Sequence, residues 1–387
     1  MRAEFALHLD KIRKEASAAG LDAVLIAANA NIYYVSGRFF RGYVYLPVAG
    51  EAIYFVIRPS VFGKEDGVMA LRKPEQIMEI LTEKAVPLPG KLGIEFDDLS
   101  YSESQRLMKC FPGVEFGNAS PVLSAARMVK TPWEVEEIRR DGMHQASVYH
   151  RIEHLYKEDM TDLEFQIEIE HTLRLEGCIG MLRTSGRLME SGLGSVISGE
   201  NADTPSPYDY SMGGAGISPA YPVGADGTTM RTGTTVMVDM AGSFNGYQSD
   251  MTRVWRIGDI PELAVRAHQC SIDILRELEK LALPGTEVKE LYLRAEAIAE
   301  EAGLSEYFMG HRQKAGFIGH GVGIVLNEQP AITSRCRVIL KEGMVLAIEP
   351  KFVIPGVGAV GPENTYVVGA DGLECLTVFP EEISDLL

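Results

Sequence analysis

Four carboxylates in this sequence sit in runs where an apolar β-strand tolerates none. Asp239 closes Val236-Met237-Val238, and Glu349 ends the stretch from Met344 to Ile348. Glu363 opens the strand-like Asn364-Thr365-Tyr366-Val367-Val368, and Asp250 lies in GYQSDMTRVW. An ionised carboxylate buried without a partner is strongly unfavourable, so the chain must fold to gather these segments around a shared positive charge. His320, in GFIGHGVGI, adds an imidazole. One histidine among glycines, or one Asp at a strand end, is more often structural; their joint occurrence points to a metal pair. Four carboxylates and an imidazole suit hard or borderline divalent ions such as Mn²⁺, Co²⁺, Zn²⁺ or Fe²⁺. Two such ions ~3.5–4 Å apart can bridge a hydroxide and polarise a carbonyl.

With 387 residues the chain exceeds what one core usually organises, so two domains are expected, 1–125 and 126–387. The first opens with a helical pattern that Gly20 ends. A buried strand follows at 21–27, two strands fall within 43–57, a helix lies near 75–84 and a strand at 91–96. That alternation is an α/β signature. At Pro132 the character changes to a long amphipathic helix with Pro at its start and acidic residues in its first turn. A second helix covers 162–176, and a Gly-, Ser- and Tyr-rich stretch, 185–227, reads as strands and loops around a pocket. Strands at 234–240 and 247–257, helices at 262–282 and 288–302, and strands at 344–352 and 363–368 complete the pattern. The second domain thus repeats helix, helix, strands, with no repeat of the sequence itself.

The net charge of −17 argues against nucleic acid and anionic lipid, both of which need clustered Lys and Arg. Five scattered cysteines without a C-x-x-C pair suggest neither a disulfide framework nor a zinc ribbon. No apolar run has signal-peptide or membrane-spanning character, so the expected compartment is the cytoplasm. Met212-Gly213-Gly214-Ala215-Gly216 lacks the lysine of a phosphate loop.

VDMAGSFNGYQSDMTRVW, GHGVGIVLNEQP, AIEP and GPENTYVV resemble the metal-ligand blocks of the pita-bread metallopeptidases, the family of prolidase, aminopeptidase P and creatinase. RMVKTPWEVEEIRR resembles the family's entry to its catalytic domain, and NIYYVSGRFF a segment of the prolidase/creatinase N-terminal domain. The resemblance implies an α+β protein: a C-terminal pita-bread (creatinase/aminopeptidase) fold behind an N-terminal α/β creatinase-like domain. It further implies two divalent ions held by Asp239, Asp250, His320, Glu349 and Glu363, with Asp250 and Glu363 bridging and Glu349 handling the proton of the attacking water. A homodimer and a short peptide substrate follow from the same resemblance.

Two positions depart from the family pattern. Ser206 and Asn327 stand about where its peptidases carry accessory histidines, and neither can become cationic. Arg183, Tyr208, Tyr210, Tyr247 and His311 are further candidates for the pocket. The leading expectation is an Xaa-Pro dipeptidase or aminopeptidase-like hydrolase. The alternatives are a pita-bread hydrolase or lyase acting on a small non-peptide amide or zwitterion, as in ectoine hydrolase, and a non-catalytic pita-bread binding protein.

Overall fold

Gly20 follows the first helix in a left-handed conformation, φ +70°, and the apolar run after it becomes the middle of a sheet. The computed structural model describes residues 2–59 and 67–386. It divides into two compact units, Met1–Arg127 and Met128–Leu387.

In the first unit the elements are α1 (Arg2–Ala18), β1 (Ala23–Ile26), α2 (Asn29–Ser36), β2 (Arg41–Pro47), β3 (Ile53–Arg58), β4 (Val68–Ala70), α3 (Ile77–Glu83), β5 (Lys91–Ile94), α4 (Tyr101–Lys109), β6 (Glu115–Asn118) and α5 (Ser120–Met128). The six strands form one sheet in the order β4-β3-β2-β1-β5-β6. β1 pairs antiparallel with β2 and parallel with β5, and all four of its residues are buried. Leu25, Phe55, Leu92 and Phe111 belong to the core of this sheet. Helices α2, α4 and α5 are additions to the sequence reading. The start of α4 was nevertheless written in the chain: Ser100 and Glu103 form a reciprocal capping box.

The second unit starts with α6 (Pro132–Tyr149), whose N-terminus carries both Pro132 and a Thr131/Glu134 capping box. It is shorter than the pattern predicted, because the chain turns at His150-Arg151 and resumes as α7 (Ile152–Leu155). There follow α8 (Asp162–Leu175), β7 (Gly194–Ser198), β8 (Thr234–Gly242), β9 (Ser249–Ile257), α9 (Glu262–Leu281) and α10 (Val288–Glu301). The closing strands are β10 (Gly319–Gly321), β11 (Val345–Ile348), β12 (Phe352–Ile354), β13 (Gly358–Val360), β14 (Asn364–Val368), β15 (Leu373–Cys375) and β16 (Ser384–Asp385). Two four-stranded sheets result, β16-β9-β8-β7 and β10-β11-β14-β15, with β12-β13 as a separate hairpin. Buried α9 residues Ala264, Ala267, Ser271, Ile274 and Leu278 recur every three or four positions. They form the stripe that packs on the core shared with Leu346, Ile348 and Phe352.

Candidate metal centre

Each sequence-predicted carboxylate enters the site from an element that fixes its direction. In the antiparallel pair β8–β9, Asp239 faces Thr252 and Ala241 faces Asp250 across the ladder. Residues two apart share a face, so Asp239 and Asp250 are diagonal neighbours on the same side of the sheet. In the other sheet, His320 lies in β10, Glu349 directly follows β11 and Glu363 directly precedes β14. The registers Gly319↔Ile348 and Ile348↔Asn364 bring those three to one end of adjacent strands. The sheets are joined at this point. The Glu363 N–H donates to Thr252 O (3.2 Å), and the Asp250 N–H to Thr365 Oγ1 (2.8 Å). The Thr365 hydroxyl in turn donates to Asp250 O (2.9 Å).

The five side chains fall into two groups sharing Glu363. Asp250, His320 and Glu363 offer ligand atoms within 4.8 Å of one another, and so do Asp239, Glu349 and Glu363. His320 Nε2 lies 3.7 Å from Asp250 Oδ2 in its own group and 3.7 Å from Glu349 Oε1 of the other. That separation is too long for a hydrogen bond. It is below the ~4.2 Å that separates two ligands on opposite sides of an ion ~2.1 Å from each. His320 Nδ1 faces Gly321 O at 3.2 Å, a contact that assigns the ring proton to Nδ1 and leaves Nε2 as the donor atom. Glu363 Oε1 is buried with no hydrogen-bond partner among the described residues. An orphaned carboxylate oxygen at this place is what a cation would satisfy. The residues therefore fit a divalent ion at this first position.

The second group already holds a cation. Lys351, fully buried, places Nζ 2.7 Å from Asp239 Oδ2, 2.7 Å from Glu349 Oε2 and 3.2 Å from Glu363 Oε2, with Ser211 Oγ at 3.0 Å. Sequence reasoning missed this residue. The signal was present, since a lysine inside the apolar run from Met344 to Ile354 needs partners as much as the carboxylates do.

The electrostatics follow from burial and mutual repulsion. Burial, with Glu363, Asp239 and Glu349 close by, pushes the Asp250 carboxyl well above the usual range. Burial and Glu349 push Glu363 up to about 8. For Glu349, burial acts upward, but the Lys351 ammonium and His320 outweigh it and hold the carboxyl below its ordinary value. Burial alone would lower Lys351; Asp239, Glu349 and Glu363 instead hold it well above the normal ammonium value. Glu363 and Asp250 are the carboxyls left short of positive charge.

Arg253 secures the far side of this cluster. Its buried guanidinium donates to Glu363 O, Thr252 O and Pro380 O at 2.7 Å each, and to Asn364 Oδ1 at 2.7 Å. The direction of Glu363 is thereby tied to both β9 and the C-terminal segment.

The cluster opens into a cavity of about 380 Å³ whose lining includes Asp239, Asp250, His320, Glu349, Tyr210 and Asn327. Asn327 is committed: its amide donates to Ser185 O (2.7 Å) and accepts from the Ser185 N–H (2.6 Å), clamping that loop. The Tyr210 hydroxyl donates to Glu190 O (2.7 Å). Ser206, Arg183 and His311 are not among the lining residues. The Ser206 hydroxyl donates to Pro222 O (2.8 Å), and His311 Nδ1 contacts Asp203 Oδ2 (2.9 Å). The Tyr247 hydroxyl lies 3.1 Å from Glu134 Oε1.

Comparison with known proteins gives two family matches, to metallopeptidase family M24 over residues 136–370 and to the creatinase/prolidase N-terminal domain over residues 8–129. The chain is 28% identical over 382 residues to the Xaa-Pro dipeptidase of Pyrococcus furiosus, covering 97% of this chain and 99% of that one. Among solved structures, the prolidase from Pyrococcus horikoshii superposes with a TM-score of 0.78 at 24% identity, covering 97% and 99% of the two chains. The Xaa-Pro dipeptidase from Bacillus anthracis gives 0.82 at 21% identity, covering 98% and 99%. The α+β architecture, an N-terminal creatinase-type domain followed by a pita-bread domain, is the architecture of these proteins.

Proposed function

This chain belongs to metallopeptidase family M24, and from that membership we propose that it hydrolyses the amide bond of short Xaa-Pro peptides. The observation that supports the reading best is the Asp250–His320–Glu363 group: Asp250 and His320 line a cavity of about 380 Å³, and Glu363, grouped with them, carries an orphaned carboxylate oxygen. That volume falls in the range of small-molecule sites, and the names of the relatives point to a dipeptide.

A divalent ion bound here would polarise the scissile carbonyl and acidify a water. The chain's own residues do the rest. Asp250, Glu363 and His320 Nε2 would hold the ion, with Asp250 and Glu363 entering as carboxylates after losing the protons that burial favours. Glu349 stays ionised beside Lys351 and His320, so it can accept the proton of the attacking water and pass it to the leaving amine. The loop that Asn327 clamps at Ser185 contributes Ser185, Gly186, Met189 and Ser191 to the lining of the cavity. We further propose a cytoplasmic homodimer, the oligomeric state to be read by sedimentation equilibrium. Among the described residues no helix is long and apolar enough to cross a membrane.

One observation favours a second reading, a small non-peptide amide or zwitterion. Asn327 and Ser206 spend their polar atoms on the protein itself and offer no cation to a substrate carboxylate. A panel of Xaa-Pro dipeptides assayed with Mn²⁺, Co²⁺ or Zn²⁺ tests the leading reading. Turnover that prefers Xaa-Pro over other dipeptides, and that disappears in Asp250→Ala together with bound metal, supports it. Metal binding without hydrolysis of any peptide in the panel overturns it in favour of the second.

A further inference from the structure

We propose that Lys351 permanently occupies one of the two cation positions of this centre, so that the chain works with a single divalent ion at Asp250, His320 and Glu363. The inference rests on the metal-centre reading above and deepens it.

The geometry carries the argument. A second ion would have to take its ligands from Asp239, Glu349 and Glu363. Lys351 Nζ lies within 3.2 Å of an oxygen on each of the three, and its fourth neighbour is Ser211 Oγ at 3.0 Å. An ammonium has three protons to donate, and four acceptors surround it. A metal ion at ~2.1 Å from the same oxygens would occupy the volume of Nζ itself. The side chain has nowhere near at hand to go: it is fully buried, and the residue directly precedes β12, where its carbonyl accepts from the Met309 N–H at 2.8 Å. The two cation positions consequently differ. One ends in an orphaned Glu363 Oε1, and the other is filled by the protein's own charge.

Charge balance is consistent with this occupancy. Two divalent ions bridged by one hydroxide would leave four carboxylates with one net negative charge. One ammonium, one divalent ion and a neutral water leave the same net charge. Adding a second divalent ion on top of Lys351 would bring the cluster to zero with a bridging hydroxide and to net positive with a neutral water, above the balance that either arrangement keeps.

The test counts ions and does not depend on the substrate. The metal-free protein is loaded with excess Mn²⁺, unbound ion is removed, and metal per chain is measured for the wild type and for Lys351→Gly and Lys351→Met. The Mn²⁺ resonance spectrum of each is recorded. We expect one ion per wild-type chain, with the six-line spectrum of an isolated Mn²⁺. Lys351→Gly, which vacates both the charge and the space, should take two ions and show exchange coupling. Lys351→Met, which fills the space without the charge, should stay at one. Two coupled ions in the wild type would overturn the assignment, as would a folded Lys351→Gly protein that still takes one. If Lys351→Gly does not fold, the wild-type count and spectrum still decide. A wild type that takes no ion would refute the metal-centre reading itself. A wild type that takes one ion yet cleaves no peptide would refute the proposed substrate and leave the single-ion assignment standing.

Discussion

His268 makes the catalytic unit sensitive to acid in a way that can be measured separately from every other group. It is buried on α9, where Nδ1 accepts from the Gly361 N–H (3.2 Å) and Nε2–H donates to Glu381 O (2.7 Å). Burial, with the Arg253 guanidinium adding to it, pushes the imidazole from 6.5 down to about 4. The folded state therefore binds the neutral ring, and the unfolded chain takes up a proton first as pH falls. The stabilisation is fully present above 6.5 and is lost as pH drops towards 4. Between about pH 7 and about pH 4.5 these two values imply a loss of about 2.5 kcal/mol from this residue alone. Asp141 acts in the opposite sense, because burial raises its carboxyl to about 7, so the net acid response of the protein does not isolate His268. A comparison with His268→Asn does, since Asp141 and all other groups are common to both proteins. Both tryptophans, Trp133 and Trp255, lie in the second unit, and urea unfolding followed by their fluorescence reads that unit. The wild type should lose about 2.5 kcal/mol more than the variant over this pH interval. Parallel losses in the two proteins would refute a neutral buried His268.

Arg253→Met removes a buried cation that donates to six oxygens, Glu363 O among them, and should destabilise the second unit by on the order of 4 kcal/mol in urea unfolding. The same variant should bind Mn²⁺ more weakly in calorimetric titration, because Glu363 loses its fixed direction. Lys130 and Glu328 form a buried ion pair at 3.2 Å. Lys130→Met strands the carboxylate and should cost about 3–5 kcal/mol, whereas Lys130→Met with Glu328→Gln should recover part of that loss. Asn327→His breaks the amide clamp on Ser185. It should increase proteolytic nicking of the 183–193 loop, and it should raise kcat/KM on Xaa-Pro dipeptides if a cationic group is all that the pocket lacks.

Much of the site could be read from the sequence, because charge in an apolar strand is a local signal. Asp239, Asp250, Glu349 and Glu363 each interrupt a β-pattern, and the structure gathers them with His320 into one cluster. Lys351 escaped, though it lies two residues from Glu349. Its place in an apolar run is a signal of burial, but the sequence does not name its partners; the folded cluster shows them to be Asp239, Glu349 and Glu363. Ser206, Arg183 and His311 are not among the residues lining the cavity of about 380 Å³; the Ser206 hydroxyl donates to Pro222 O, and His311 Nδ1 contacts Asp203 Oδ2. The polarity of a side chain does not reveal whether its partner is a substrate or a neighbouring carbonyl. In the first unit, α2 went unread because Asn29-Ala30-Asn31-Ile32 has weak helical propensity and no capping side chain. Tertiary burial of Ile32, Tyr34 and Val35 decides its conformation instead.

The ammonium of Lys351 also bears on how such a protein is born. Four carboxylates converging on one site repel one another, and without an internal cation the chain would have to protonate more of them, or bind metal first, before its last strands could close. Here the first positive charge is encoded in the polypeptide and arrives with β12, so the two sheets can meet around Asp239, Glu349 and Glu363 in a metal-poor environment. On the single-ion proposal, capture of the ion would be a separate, later event at a preformed position.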